Sequence, residues 1–175
     1  MKKILKIGAV TLMTIALAGC SLGKNIESKN EDTNNEISKA VKSSVIDNLQ
    51  VVDTNILLTS VGLEEKDVKD FIGKIPVYNN PQGTLYLAVK PAKGQEDKVE
   101  KALDSYISSL KLKLDVSEPT TTTDDTKEET KKDNKNSKEL EYLNNITKET
   151  SKGYFIYVSG AKKDEILKIL KQRIK

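Results

Sequence analysis

The sequence predicts an α+β fold: a four-stranded, mainly antiparallel sheet with two helices on one face, plus an N-terminal helix. Two segments of alternating apolar residues, Leu85–Val89 and Tyr154–Val158, predict strands. Each is preceded by turn residues and by a segment able to form an antiparallel partner strand. Each is followed by a segment whose apolar residues recur at helical spacing. The two halves therefore predict two ββα units, whose common order is either a duplication or a chance resemblance between two strand–helix pairs.

The chain begins with a segment typical of an export signal. Lys2, Lys3 and Lys6 precede an apolar run over residues 7–16, which ends in the small-residue sequence Leu17-Ala18-Gly19-Cys20. This ending resembles a bacterial lipobox. It implies that residues 1–19 are a signal peptide, that cleavage falls between Gly19 and Cys20, and that Cys20 carries diacylglycerol. The alternatives are a plain secretory leader or an uncleaved N-terminal helix that happens to contain a cysteine.

Residues 20–34 are polar and lack a periodic apolar face. This composition predicts a lipidated, flexible tether. Its fourteen residues after Cys20 would reach at most about 50 Å when fully extended. Residues 35–175 are predicted to form a single α+β domain that stands just off the membrane.

The domain begins with an amphipathic helix and two shorter ones. Apolar residues at steps of four, from Ile37 to Leu49, predict a helix from Asn35 to about Gln50, capped by Asn34 or Asn35. Asp53 and Thr54 then start a short segment that Gly62 ends. A second short helix is predicted around Leu63, Val68 and Phe71.

A hairpin and the strongest helix follow. Residues 71–78 alternate but contain Pro76, which has no N–H to donate, so they predict an edge strand. The turn sequence at residues 79–83 joins it to the strand at residues 84–90. A helix is then predicted from Glu96, with acidic residues in its first turn. Its buried stripe is Val99, Ala102, Leu103, Tyr106, Leu110 and Leu114.

Residues 115–138 contain one valine and no other large apolar residue. Such a segment cannot bury enough surface to offset its ordering entropy, so it predicts a disordered insert. A cation-binding or cell-wall-binding strip is the alternative. A strand is then predicted from about Leu143 to Thr150, followed by the Tyr154–Val158 strand and a last helix with Ile166, Ile169 and Leu170 on its apolar side.

One sheet face is a candidate binding surface. If Leu85, Leu87, Val89 and Tyr154, Ile156, Val158 face the helices, then Tyr86, Phe155 and Tyr157 point away from them. An open face bearing these aromatic side chains would bind a partner protein, a peptide or a glycan. The alternative is that the N-terminal helix or residues 51–63 cover it.

Composition argues against several functions. The chain has no histidine and one cysteine, Cys20, so neither an imidazole base nor a free thiol nucleophile is expected. No glycine-rich phosphate loop or calcium loop is present. We therefore predict no catalytic, cofactor-binding or metal-binding residues, and no cofactor.

The net charge of +3 comes from residues 1–19, which hold three lysines and no acid. The remaining chain is neutral, which makes nucleic acid an unsuitable partner. The bias toward Lys, Asn, Ile and Glu is typical of an AT-rich, Gram-positive genome, so we expect the protein on the outer face of the cell membrane.

The run GLEEKDVKDFIGKIPVYNNPQGTLYLAVKPAKGQEDKVEKALDSYISSLK, with YLNNITKETSKGYFIYVSGAKKDEILKILK after the insert, resembles a clostridial lipoprotein family, domain of unknown function 4358. The resemblance covers about residues 40–175 and implies fold and location only. We therefore expect a non-catalytic module that binds an envelope protein, peptide or polymer. The alternatives are a solute-binding or transport accessory lipoprotein and a carboxylate-dependent enzyme.

Overall fold

A computed structural model describes residues 22–42, 44–116 and 129–175. The predicted signal peptide, its cleavage site at Gly19 and Cys20, and the first half of the predicted insert lie outside these residues. The elements are the helices α1 (Leu22–Val41), α2 (Ser44–Asp47), α3 (Thr54–Ile56), α4 (Glu96–Val116), α5 (Glu129–Asn144) and α6 (Lys163–Arg173), and the strands β1 (Gln50–Val51), β2 (Val68–Ile75), β3 (Leu85–Pro91), β4 (Thr147–Ser151) and β5 (Tyr154–Ser159).

The α+β prediction is confirmed, with five strands instead of four. They form one sheet in the order β1-β2-β3-β5-β4, and every neighbouring pair is antiparallel. The fifth strand is β1, whose two residues pair with Lys74 and Ile75 of β2. A strand of two residues shows no alternation in the sequence, which is why the pattern did not reveal it.

The sheet separates two apolar cores. The first lies under α4 and includes Leu87 and Tyr157, which are register partners on β3 and β5. The second lies under α1 and α6 and includes Tyr86 and Val158, also partners. Residues opposite each other in an antiparallel pair share a face. The register therefore decides which side chains of β5 share a face with those of β3. Alternation within either strand alone cannot decide this.

The prediction that both helices lie on one face is wrong. Helix α4 contributes Val99 and Leu103 to the first core, whereas α6 contributes Ile166 and Leu170 to the second, on the other side of the sheet. The two central strands, β3 and β5, are antiparallel, so a rotation that superposes one hairpin on the other turns about an axis perpendicular to the sheet. Such a rotation would leave the two helices on the same face. Because the helices lie on opposite faces, the two ββα units have opposite hand and do not superpose as copies.

The predicted tether is also corrected. Helix α1 starts at Leu22, and its polar residues Asn30, Thr33 and Asn34 are buried. Backbone groups of β2 and of Val52, the residue after β1, supply hydrogen-bond partners for the two asparagines. Composition predicts disorder from a shortage of apolar surface, and it cannot detect asparagines that bind strand backbone.

The predicted helix Asn35–Gln50 is interrupted. Helix α1 ends at Val41, Lys42 has a positive φ of 46°, and α2 covers only Ser44–Asp47. Ile37 and Val41 are buried as predicted, while Val45 is exposed and Ile46 takes its place in the core. The break rotates the second helix relative to the first, so the four-residue stripe does not continue through it.

The segment before the first hairpin matches its prediction at its start and differs from it at its end. Asp53 does cap α3, and Gly62 ends the π-helical turn Leu57–Val61, as the sequence indicated. The second short helix, predicted around Leu63, Val68 and Phe71, forms only as the 3-10 turn Glu65–Asp67, because Val68 and Phe71 belong to β2. Strand β2 is flanked by β1 and β3, so it is not an edge strand, and it stops at Ile75 directly before Pro76.

The second half of the predicted insert is a helix. Helix α5 begins at Glu129 and runs to Asn144, so Leu143 is helical and β4 begins only at Thr147. The Oε2 atom of the buried Glu139 accepts a hydrogen bond from the Gly83 N–H at 2.7 Å. With Leu143 buried in the first core, these contacts hold the C-terminal part of α5 on the sheet.

Four elements match their predictions. Strand β3 has the predicted inward residues Leu85, Leu87 and Val89. Helix α4 starts at Glu96, and its predicted stripe is buried except for Ala102, which is partly buried. Strand β5 and helix α6 also form where the alternation and the helical spacing placed them. These segments have the strongest apolar periodicity in the chain.

Candidate functional site

The predicted binding face does not exist as an open surface. Tyr86 is buried beneath α1 and donates its hydroxyl to Asn34 Oδ1 at 2.8 Å. Phe155 and Tyr157 lie on the opposite face, in the core under α4. The structure therefore separates the three predicted residues. Of the two interpretations of this face, the one in which the N-terminal helix covers it is correct for Tyr86.

Two tyrosines of β5 make matching polar contacts on opposite faces. Tyr157 donates to Asp104 Oδ1 at 2.9 Å, and Lys148 Nζ lies 5.3 Å from its ring centroid. Tyr154 donates to Asp70, and Lys90 Nζ lies 5.0 Å from its ring. Burial raises the pKa of both tyrosines, and the carboxylate that accepts each hydroxyl raises it further. Both hydroxyls are thus held protonated, which suits packing rather than proton transfer.

Two carboxylates beside the first core, one buried and one half-exposed, are also paired within the fold. Asp67 is buried, and its pKa is lowered first by the hydrogen bond from Lys98. Asp104 has a lowered pKa because Lys148 donates to it. Acid–base catalysis needs two groups whose environments separate their pKa values around one reactive point. These carboxylates lie apart, each with its own cation. Within residues 22–42, 44–116 and 129–175, no group of three His, Cys, Asp or Glu side chains could hold a metal ion.

A cleft beside α4 is the best candidate site. Three segments form it: the π-helical turn, the loop after β2, and the C-terminal half of α4. Its volume is about 200 Å³. The lining residues are Thr59, Ser60, Pro76, Val77, Tyr78, Tyr106, Ser109, Leu110 and Lys113. We call it the Tyr78 cleft.

Local sequence explains how each wall forms. Pro76 has no N–H, so β2 ends before it and the chain leaves the sheet. A turn follows, in which Asn80 N donates to Val77 O at 2.9 Å, and it presents Tyr78 outward. On the other side, Gly62 adopts φ 81° and closes the π-helical turn. Such turns are rare and are often found at functional sites.

The floor of the Tyr78 cleft is rigid and apolar, and its mouth carries a cation. Tyr106 and Leu110 belong to the first core, and burial raises the pKa of the Tyr106 hydroxyl. At the mouth, Tyr78 is 72% exposed and Lys113 Nζ lies 3.7 Å from the centroid of its ring. This is a cation–π contact at a distance where it stabilises the pair.

Exposed apolar side chains are concentrated around the Tyr78 cleft. Most of the large apolar residues exposed in the described part of the chain belong to its three segments: Leu58, Val77, Tyr78, Leu112 and Val116. On α4, Leu112 and Val116 are three and seven residues after Ser109, so they extend the same side of the helix. Clustered exposed apolar groups mark an interaction surface, whereas scattered ones do not.

Two further grooves lie beside α5. The larger, about 560 Å³, is lined mainly by polar residues such as Glu141, Asn144 and Asn145, and Lys163 Nζ already donates to the Asn145 carbonyl. The smaller, about 280 Å³, lies between α2, α5 and the start of α6. The exposed apolar side chains grouped above lie outside both, so the Tyr78 cleft remains the stronger candidate.

Sequence reasoning missed the Tyr78 cleft, although one signal was available. Tyr78 lies two residues after a proline that stops a strand, and two asparagines and Pro81 follow it closely. An aromatic residue in such a turn is exposed, and an exposed aromatic residue is a candidate anchor for a partner. The approach of Thr59 and Lys113 to Tyr78 is a tertiary feature that local pattern does not encode.

No family model matches the chain, and neither the curated proteins nor the solved structures give a match. The resemblance to the clostridial lipoprotein family therefore stays a prediction. None of the described helices is long and apolar enough to cross a bilayer.

Proposed function

We propose that this protein is a lipid-anchored, non-catalytic binding module on the outer face of a Gram-positive cell membrane. The lipobox-like sequence ending at Cys20 supports the location. The Tyr78 cleft supports the binding role, and the concentration of exposed apolar side chains around it is the observation on which this proposal depends.

The occupant we propose is an extended segment of another envelope protein. Pockets for whole small molecules measure about 300–1,000 Å³, whereas one anchoring side chain needs less. At about 200 Å³, the Tyr78 cleft suits a single apolar side chain. Lys113 is the one charged residue among those lining it, so an acidic residue next to that anchor is complementary. The hydroxyls of Thr59 and Ser109 can bind the backbone of the segment.

Site-specific cross-linking tests this proposal. A photoreactive benzoylphenylalanine replaces Tyr78 in the lipidated chain, and a matched chain carries it in place of the exposed Thr150 of β4. We expect position 78 to give one dominant product, whose cross-linked peptide combines an apolar side chain with an adjacent Asp or Glu. Equal products from both positions, or none from position 78, would contradict the proposal.

Binding of a synthetic copy of the cross-linked peptide then measures how much Tyr78 contributes to the affinity. We expect Tyr78→Ala to weaken its binding roughly 10- to 100-fold, because truncating an aromatic hot spot removes about 1–3 kcal/mol. Val51→Ala is the control, since Val51 is also exposed and apolar but belongs to β1. The cleft would be excluded if both substitutions weakened binding equally.

A further inference from the structure

The helix that leads to the proposed lipid anchor begins almost at the anchor itself. Helix α1 starts at Leu22, two residues after Cys20, and continues unbroken through Asn30 to Val41. At 1.5 Å per residue, the path from Leu22 to Asn30 is about 12 Å long. A coil could extend to somewhat more than twice that length, about 28 Å. The link between lipid and domain is therefore short.

The same helix is fixed to one side of the sheet. Asn30 Oδ1 accepts from the Gly73 N–H at 3.1 Å, and Asn30 Nδ2 donates to the carbonyl of Val52. Asn34 Nδ2 donates to Asn30 Oδ1 at 2.8 Å, and Asn34 Oδ1 accepts from Tyr86. Both asparagines are buried, so this network joins α1 to β2, to β3 and to the residue after β1 as part of the domain.

The contacts also give the direction in which α1 runs. In its C-terminal half, Glu36 pairs with Arg173 of α6, and Ile37 packs in the same core as α6. In the other direction, Asn30 lies between Val52 and Gly73, next to the β1–β2 edge. Continuing the helix from Asn30 to Leu22 therefore leads away from α6 and from β4, which forms the opposite edge.

We infer that the anchored domain is held with its β1–β2 edge toward the bilayer and its β4 edge away from it. This inference rests on the proposed lipidation of Cys20. Four strand spacings separate the two edges, which is about 19 Å. A short, rigid link keeps the two edges at different distances from the bilayer, whereas a flexible tether would average those distances.

Spin labels on the two edges measure the orientation. Val51→Cys on β1 and Thr150→Cys on β4 are labelled separately in the lipidated chain, since both positions are exposed and Cys20 is then blocked by its lipid. Nanodiscs carry lipids with a nickel-chelating headgroup. We expect relaxation enhancement at position 51 to be at least about twice that at position 150. Equal enhancement in a chain shown by mass spectrometry to be lipidated would overturn the orientation alone.

One control chain and one control measurement identify what causes the difference between the two labels. Inserting about ten Gly and Ser residues between Ser21 and Leu22 leaves the fold untouched and supplies a flexible link. We expect this insertion to remove most of the difference between the two labels. If the difference survives, α1 does not set the orientation. Mass spectrometry that finds no lipid on Cys20 in the parent chain would overturn both the proposed function and this inference.

Discussion

Helices α1 and α5 invite comparison because both lie where composition predicts disorder, and both are docked through the backbone of a glycine. Helix α1 places Asn30 and Asn34 against Gly73 in β2, and α5 places Glu139 against Gly83 in the loop between β2 and β3. Apolar surface alone does not hold either segment. At Gly83 the missing side chain allows the backbone of α5 to approach closely, whereas a Cβ at Gly73 would meet Tyr86 and Leu87 of β3 and not α1.

The two docking sites differ in their chemistry. At Gly73, neutral amides both donate and accept, and they join two strands and Tyr86 in one buried network. At Gly83, one carboxylate oxygen accepts one N–H, and the remaining contact is the close packing of the Glu139 backbone against the Gly83 backbone. The first site therefore depends on hydrogen-bond complementarity, and the second depends on shape. Three substitutions test this difference.

The largest effect is expected from Gly83→Ala. A Cβ at this position would lie 1.7 Å from the backbone oxygen of Glu139, and a helix backbone cannot move out of the way as a side-chain tip can. We expect α5 to lose its docking, with a loss of about 3 kcal/mol or more in the free energy of unfolding. Hydrogen exchange should show fast exchange in α5 and continued protection in β3 and β5.

Gly94→Ala is the control for that experiment. Gly94 has φ 80°, and a Cβ added there would have no atom within 4 Å, so alanine meets backbone strain but no clash. We expect a loss of about 1 kcal/mol and normal protection of α5. If Gly83→Ala behaves like Gly94→Ala, shape does not hold α5.

The next effect is expected from Asn30→Ala. The substitution leaves the N–H of Gly73 and the carbonyl of Val52 buried without the side chain that bonds them. At about 1–3 kcal/mol for each of these two unsatisfied groups, we expect a loss of about 2–6 kcal/mol in the free energy of unfolding on urea denaturation. Asn35→Ala changes the same residue type on the exposed side of α1 and should change stability by less than about 0.5 kcal/mol. Similar losses from both would mean that the network does not dock the helix.

The sequence predicted the elements whose apolar residues recur with a regular period. It did not predict the features that depend on contacts between segments far apart in the chain. Alternation placed β3 and β5 correctly, yet only their register shows that Leu87 faces the same core as Tyr157. Lack of apolar surface suggested a tether at α1, because the partners of Asn30 are backbone atoms of β2 and of the residue after β1, far along the chain. The Tyr78 cleft was missed for the same reason, since its three walls meet only in the folded state.

The smallest effect is expected from Glu139→Gln, and it separates the two docking sites most clearly. The glutamine keeps a side-chain oxygen that can accept from the Gly83 N–H, so we expect a loss below about 1 kcal/mol, similar to Glu141→Gln on the exposed side of α5. The reverse exchange in α1, Asn30→Asp, removes the donor to Val52 and buries a charge, so it should be at least as damaging as Asn30→Ala. Urea denaturation of the three variants measures both exchanges. If Glu139→Gln is as destabilising as Asn30→Asp, the carboxylate charge matters at Gly83, and the two helices dock by the same chemistry.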